Sequence, residues 1–570
     1  INLNKLWEML KLNNTNLETV FIWLKDNIWN TIQSELFSHK ITKAKVMTDI
    51  PYPETSEKMI AFMNYNQSFS ETNYSYGHNI EDEDFLNENN NCISIASRMY
   101  SRNNVQFIQK SILSNYEIIY ISQLTTLIIA QIPICDFSKI ADIENIDSIT
   151  VINDIQYKNE FDDAIKDTGI TKFNHNSFYS LYGLKGKGVS IGIIEAPPKT
   201  STVSFKHHEV VEFEISGSMT INGHKYQGIA PYANTILEHK KDIKEILETI
   251  ESFIINKKCT IINMSGGFEY KEIKFFPESY LDKWFDILIS RYNVLFVKSA
   301  GNKDNITSPG NSVNSIVVGN LETKEEHYSS IVRKTNNICM REHSGYIQQS
   351  FSLNNKPDIS APGTYLDFPF INPKTGIDYY PTGTSFSAPI ITGVIALVCE
   401  AYPKLQKNYL FVKAIILLTA SIPSLSNDNC ISDSVYIQNR SGFGIINAER
   451  ISDTLTKLKF EEYYIDLSRT FPPLHLSLGH IKKGSIINAI LLYENPIISP
   501  NESYIAIDLD LHLCNQNGYI YDVSLSTKNY EMIKYQFRYS DKYELTISPF
   551  KVPLLKEFTI IRVVVVWLIE

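Results

Sequence analysis

Cysteine pairs are the first thing this 570-residue chain lacks. Its seven cysteines (Cys92, Cys135, Cys259, Cys339, Cys399, Cys430, Cys514) are scattered, with no CxxC and no ligand spacing for a metal. That excludes a disulfide framework and a zinc centre, and predicts buried free thiols. Long apolar runs are missing too. The most apolar segment, Phe558 to Ile569, is β-branched and interrupted by Arg562; it predicts a strand, and no membrane span is expected. Basic clusters are absent, with a formal net charge of −10. Phosphate-backbone binding rests on clustered Lys and Arg, so nucleic acid is excluded as a partner. Ile1 opens the sequence without the basic-then-apolar pattern of a leader.

What is present is globular. Hydrophobic residues make up 43% and charged residues 20%, enough for three or four units, each with its own core. Residues 1–98 read as an N-terminal extension. It begins with helical spacing (Leu6, Leu10, Leu17, Val20, Phe21, Leu24, Ile28, Ile32) and drifts into a polar linker from Asn64 to Asn91. Residues 99–163 hold two β-rich runs, IIYISQLTTLIIAQI and SITVINDIQY, separated by a helically spaced FSKIADIENID, which predicts a small α+β domain.

Between 164 and 456, β-branched strands such as VSIGIIE, TIINMSGG, NVLFVKSAGN and NSIVVGN alternate with helical stretches at Lys244–Ile255 and Pro389–Ala401. Such alternation specifies an α/β fold with a largely parallel sheet, whose functional groups gather at the carboxyl ends of its strands. Residues 457–570 turn to short alternating strands spaced by turns such as NQNG, the pattern of an all-β sandwich.

The run GTSFSAP, Gly383 to Pro389, leads directly into an apolar helical pattern. Ser385 therefore belongs at a helix N-terminus, where the dipole favours developing negative charge and where Pro389 is expected to fall among first-turn positions that lack partners. A serine so placed can attack a carbonyl and help hold the oxyanion, although residue types alone suit a capping serine equally well.

The heptad resembles the nucleophile motif of the subtilase family. Other family marks occur in the subtilase order. Gly188 to Glu195 resembles the strand ending in the acidic triad member, and Gly228-Ile229-Ala230-Pro231 the segment after the histidine helix. Ser265, Gly266 and Gly267 resemble the substrate-binding edge. Ser299-Ala300-Gly301-Asn302 resembles the strand ending in the oxyanion asparagine, and Lys356 to Gly363 another landmark. The resemblance spans roughly 290 residues and implies a subtilisin-like parallel sheet with helices on both faces. It implies a small propeptide-like α+β domain before that sheet, with cleavage near 157–170, and a β-sandwich after it.

By resemblance, the catalytic set is Glu195, His207, Ser385 and Asn302. Two members depart from the family pattern. The acid is glutamate rather than aspartate, and its alternative is a surface carboxylate. In place of the usual histidine motif stands HHEVVEFEISG at 207–217, whose alignment favours His207 with His208 as the alternative. Only 11 residues separate Glu195 from His207. Asn302 has a turn asparagine as its alternative, and Asp358 reads as a loop-fixing carboxylate.

Asp508 and Asp510 share a strand face and read as solvated rather than as calcium ligands. No metal and no cofactor is expected. A lipase-like reading lacks the GxSxG elbow. The expectation is a serine endopeptidase acting on protein or peptide substrates, with its own propeptide as a partner and, by resemblance, a secreted or cell-surface location. Its rival is a subtilase-like binding or scaffold protein without turnover, motivated by Glu195 and the altered histidine helix.

Overall fold

Strands covered on both faces carry apolar runs rather than alternation, and the sheet that opens the chain is of that kind. The computed structural model of the chain describes residues 17–24, 116–159, 184–195, 211–269, 280–323, 338–345, 356–363, 383–421 and 441–570, with gaps inside several of these ranges. The first sheet contains β1 (Leu17–Leu24), β2 (Glu117–Ile121), β3 (Leu127–Pro133) and β4 (Ile146–Val151) in the order β2-β3-β1-β4, with helix α1 (Phe137–Ala141) between β3 and β4.

The helical spacing read at Leu17–Leu24 is thus corrected to a strand, antiparallel to both β3 and β4. Val20 and Ile22 pack with Ile128, Ala130, Ile132 and Ile140. Phe21 and Trp23, on the other face, join the core of the following unit with Leu127 and Ile129. Two covered faces erase the period-two signal, and five consecutive apolar residues, Val20 to Leu24, then satisfy a helical template as well. The sheet also draws on both sides of the boundary expected near residue 98. The rest of that helical pattern and the polar stretch 64–91 lie outside the described residues.

A short strand, β5 (Gln156–Asn159), leads out of this unit. The central unit follows with β6 (Ser190–Glu195), the hairpin β7 (Ser218–Ile221) and β8 (His224–Gln227), β9 (Asn234–His239), α2 (Ile243–Ile255), β10 (Ile261–Met264) and β11 (Gly266–Glu269). It continues with α3 (Tyr280–Tyr292), β12 (Leu295–Ser299), β13 (Ile316–Thr323), β14 (Ile338–Met340), β15 (Ile359–Pro362), α4 (Thr384–Ala401), α5 (Tyr409–Leu418) and α6 (Ala448–Leu455). Its seven-stranded sheet has the order β14-β13-β12-β10-β6-β9, with β15 also on β13. All pairings are parallel except β13 with β14.

Neighbouring residues of β6 show how helices cover both faces. A Cβ on Gly192 would lie 2.3 Å from the Phe253 ring of α2. The next residue, Ile193, is in register with Asn263, whose side chain accepts a hydrogen bond from Thr392 on α4 at 2.8 Å. Successive strand residues point to opposite faces, so α2 and α4 lie on opposite sides. By length and composition α4 could cross a membrane, but 89% of it is buried inside the fold, as in a core helix.

The β2–β3 loop docks on α2 and α3. The Trp284 indole donates to Thr125 Oγ1 at 3.0 Å and the Tyr292 hydroxyl to the Leu124 carbonyl at 2.9 Å.

The last unit contains β16 (Lys459–Asp466), β17 (Leu474–Ile481), β18 (Ile486–Tyr493), β19 (Asp508–Asn515), β20 (Ile520–Ser524), β21 (Tyr530–Gln536), β22 (Asp541–Lys551) and β23 (Ile560–Ile569). They form two antiparallel sheets, β16-β23-β18-β21 and β17-β22-β19-β20. Leu491 and Val565 face the sandwich core, while their neighbours Ile490, Val564 and Val566 face the central unit.

Asp508 and Asp510 are 9% and 7% exposed, so the solvated reading is corrected. β19 is an inner strand of its sheet, and burial pushes both carboxyls above their ordinary pKa. Cys259, Cys399 and Cys514 are buried free thiols.

Candidate active site

The order β9-β6-β10-β12-β13 reverses direction at β6, because the chain first steps to one side and then to the other. In open parallel sheets that switch point, at the carboxyl ends of the strands, is where ligands bind. Glu195 ends β6 and is fully buried. Met264 is in register with Ile194 on one side and with Lys298 on the other. Ser265, just past β10, and Ser299, the last residue of β12, therefore lie level with Glu195, one and two strands away. Ser265 Oγ accepts a hydrogen bond from Asn263 Nδ2 at 2.9 Å, and Ser299 Oγ donates to the Met264 carbonyl at 3.4 Å. On β9 the residue in register with Glu195 is His239.

Helix α4 begins at the same edge. Its N-cap, Gly383, has φ 150°, a conformation that a side chain disfavours, and its N–H bonds the Gly363 carbonyl at 2.7 Å. Ser385 is the second helical residue and is fully buried. Pro389 falls inside the helix rather than in the first turn as expected. Having no N–H, it removes the helical donor for the Ser385 carbonyl four residues earlier. Asn302 meets the helix start through Thr384. Its Oδ1 accepts from the Thr384 N–H at 2.9 Å and from the Thr384 hydroxyl at 3.0 Å. Thr384 Oγ1 in turn accepts from the Gly301 N–H at 3.1 Å. With Oδ1 committed to Thr384, the carboxamide nitrogen of Asn302 faces away from it.

β11 begins directly after Ser265, and β5 lies antiparallel along it. Gly266 pairs with Asn159, Gly267 with Lys158, Phe268 with Tyr157 and Glu269 with Gln156. β5 thus runs toward Ser265 and the strand ends. Two consecutive glycines leave the backbone open to such an approach.

Of the residues singled out by sequence, the fold gathers Glu195, Ser265, Gly266, Gly267, Asn302 and Ser385 at one edge. His207 and His208 lie outside the described residues; Val211, Glu212, Ile215 and Ser216 of the same segment are helical. Asp358 fixes a loop, accepting from the Val317 N–H at 2.8 Å and pairing with Lys356 and Lys413 at 2.6 and 3.0 Å. Sequence reasoning passes over Thr384, whose only signal is its place between Gly383 and Ser385. It also passes over Lys298, a cation inside an otherwise apolar strand.

Residues 217–445 match the model of the Subtilase family. This segment is a subtilase domain. It takes in Ser265 to Gly267, Asn302 and Ser385, whereas Glu195 and His207 precede it. Among solved structures, the subtilisin-related keratinolytic enzyme fervidolysin from Fervidobacterium pennivorans is 13% identical; the match covers 78% of this chain and 69% of that one, with a TM-score of 0.42. The epidermin leader peptide processing serine protease of Staphylococcus aureus is 15% identical over 62% of this chain and 96% of its own, with a TM-score of 0.41. The prenylagaramide maturation protease PagA is 19% identical over 50% of this chain and 98% of its own, with a TM-score of 0.35. No curated protein sequence matches the chain. The subtilase domain makes a serine-type peptidase the coarse reading of this chain.

Proposed function

We propose that the chain is a serine endopeptidase that hydrolyses peptide bonds through an acyl-enzyme on Ser385, and that the unit ending in β5 is its own propeptide. The observation carrying this is the β5–β11 pairing, in which a segment of the chain lies along Gly266–Glu269 and heads for the edge where α4 begins. A peptide substrate would take the same place.

In this mechanism His207 accepts the Ser385 hydroxyl proton as the oxygen attacks the peptide carbonyl. Glu195, desolvated at the end of β6, orients the imidazole and stabilises its cation. The Asn302 carboxamide nitrogen and the Ser385 N–H at the helix start receive the oxyanion. The imidazolium protonates the leaving amine, and water, deprotonated by the same histidine, releases the acyl group.

Labelling with a fluorophosphonate probe tests the reading. The wild-type chain is expected to label and to shed a fragment of about 160 residues, consistent with the length ahead of the central unit; Ser385→Ala is expected to do neither. A second reading, a binding protein without turnover, is favoured by the family match beginning only at residue 217, beyond both Glu195 and His207. A folded wild-type chain that neither labels nor self-cleaves selects it.

A further inference from the structure

Two turns at one end of the sandwich bring together cations that lie far apart in the sequence. The turn between β17 and β18 carries Lys482 and Lys483, and the turn between β21 and β22 carries Arg538 and leads into Lys542. All four are exposed. The turns are tied to each other. The Lys483 N–H donates to Ser540 Oγ at 2.9 Å, the Gly484 N–H to the Phe537 carbonyl at 2.8 Å and the Phe537 N–H to the Ser485 carbonyl at 2.9 Å. His480, also exposed, is in register with Lys542. Across residues 482–485 and 537–542 the one acid is Asp541, whose carboxylate accepts the Lys542 N–H at 2.8 Å. Glu570, bonded to the Ile486 backbone, and Asp522 on β20 lie beside these turns rather than in them.

The same end displays two tyrosines. Tyr539, next to Arg538, is 64% exposed, and Tyr519, in the turn between β19 and β20, is 65% exposed. Tyr519 meets the Tyr521 ring edge-on, and behind it Tyr521, Tyr535, Phe537 and Tyr543 pack with neighbouring centroids 4.4 to 6.1 Å apart. The Tyr543 hydroxyl donates to the Tyr539 carbonyl at 2.9 Å and holds the tip of its turn. A turn already ordered loses little conformational freedom on binding. β18 runs eight residues, about 25 Å, from this end toward Glu494 and the subtilase domain, so a partner docked here leaves that junction uncovered.

We infer that this end of the sandwich docks on an anionic lipid surface, with Lys482, Lys483, Arg538 and Lys542 against the headgroup phosphates and Tyr539 and Tyr519 at headgroup depth. A phenol joins an apolar body to a polar tip, which suits the boundary between headgroups and acyl chains. A soluble polyanion would engage the cations but offer the two exposed rings no apolar phase, and for that reason the lipid surface is favoured. Each Lys or Arg held near an anionic leaflet strengthens partitioning roughly fivefold. The chain's net charge of −10 opposes the approach weakly, because charges more than about 8 Å from the surface are screened at physiological ionic strength. The inference stands apart from the peptidase reading and needs no turnover.

Cosedimentation of the full-length Ser385→Ala chain with vesicles tests it. Binding to phosphatidylcholine vesicles containing phosphatidylglycerol is expected to exceed binding to phosphatidylcholine alone by at least about tenfold, and to weaken as salt is raised. Lys482→Glu with Lys483→Glu is expected to lower binding at least about tenfold, and Arg538→Gln with Lys542→Gln to give the same direction from the other turn. Tyr539→Ser is expected to weaken binding while leaving its salt dependence in place. Lys257→Glu, at an exposed site after α2, is expected to change nothing. Urea midpoints matching the parent chain confirm that the variants fold. Equal binding to both vesicle types, or binding unmoved by the folded turn variants, overturns the inference. So does failure to bind vesicles, and in that case capture of soluble polyphosphate by the same turns assigns the patch to a dissolved polyanion instead.

Discussion

Glu251 on α2 receives the backbone N–H of Gln123 at 3.0 Å on each carboxylate oxygen, and that of Leu124 at 3.2 Å. The Ser122 hydroxyl donates to it as well. One side chain of the subtilase domain thus satisfies the donors of the β2–β3 loop, and the loop turns around it. Glu251→Ala would remove the acceptor shared by Ser122, Gln123 and Leu124, a loss of about 1–3 kcal/mol. In a Ser385→Ala background that keeps the chain uncut, hydrogen exchange at residues 122–130 is expected to accelerate, while exchange in β10 and β12 stays slow.

The same contact makes docking depend on pH. Burial raises the Glu251 carboxyl above its ordinary value of 4.5, and hydrogen bonds from Ser122, Gln123 and Leu124 pull it partway back. The Tyr120 hydroxyl and Glu248 are the other titratable groups nearby. A raised value means that the docked state holds the proton more firmly than the free one. Its contribution is full below 4.5 and is lost as pH rises through the docked value. Protection of the 122–130 loop in the Ser385→Ala chain is expected to fall as pH rises through that window, and Glu251→Gln to flatten the slope.

How far the sequence could be read depended on whether each signal was local. The helix start at Ser385 and the α/β alternation are local patterns found where they are read, and the strand before Asn302 is found too, ending at Ser299. Leu17–Leu24 misled because Phe21 and Trp23 pack against another unit, which removed the alternation that marks a strand. Pro389 looked like a first-turn residue because the sequence does not display which peptide begins the helix. The β5–β11 register and the Glu251 contact join residues distant in sequence, and no residue-by-residue pattern encodes them.

Asn302 has its carboxamide oxygen held by Thr384, which in the proposed mechanism fixes its nitrogen before any substrate arrives. Donors fixed in advance act on the transition state more than on the bound substrate. Asn302→Ala is expected to lower kcat by about 10² to 10³ with little change in KM. Thr384→Val, which frees the carboxamide to turn, is expected to give part of that loss. Steady-state kinetics on a peptide substrate measures both.

In the proposed triad, Glu195→Gln preserves shape but offers a donor where the imidazole N–H needs an acceptor. Loss of about 10⁴ in kcat is expected, as for the equivalent change in a serine protease triad. His207→Ala is expected to abolish fluorophosphonate labelling on the same time scale, and His208→Ala to leave it. Rates for the three variants, compared with wild type, assign the base; the reverse pattern for the two histidines moves the role to His208.

Glu494 joins the sandwich to the subtilase domain. Its Oε1 accepts from the Tyr409 hydroxyl on α5 at 2.9 Å and from Arg562 Nη2 at 3.0 Å, and its Oε2 from the Arg562 N–H at 3.1 Å. The guanidinium also lies 5.2 Å from the Tyr409 ring centroid. Arg562, the residue that breaks the last apolar run, is only 8% exposed. Removing Glu494 leaves the Arg562 guanidinium with only the longer contact to Glu462 at 4.0 Å, so Glu494→Leu is expected to cost about 3 kcal/mol in urea unfolding of the Ser385→Ala chain. Replacing both, Glu494→Leu with Arg562→Met, removes the weakly paired guanidinium, leaves only the part-exposed Glu462, and is expected to recover most of that loss. A double variant no more stable than the single one would mean that Tyr409 and the Arg562 backbone, rather than the ion pair, make Glu494 matter at this junction.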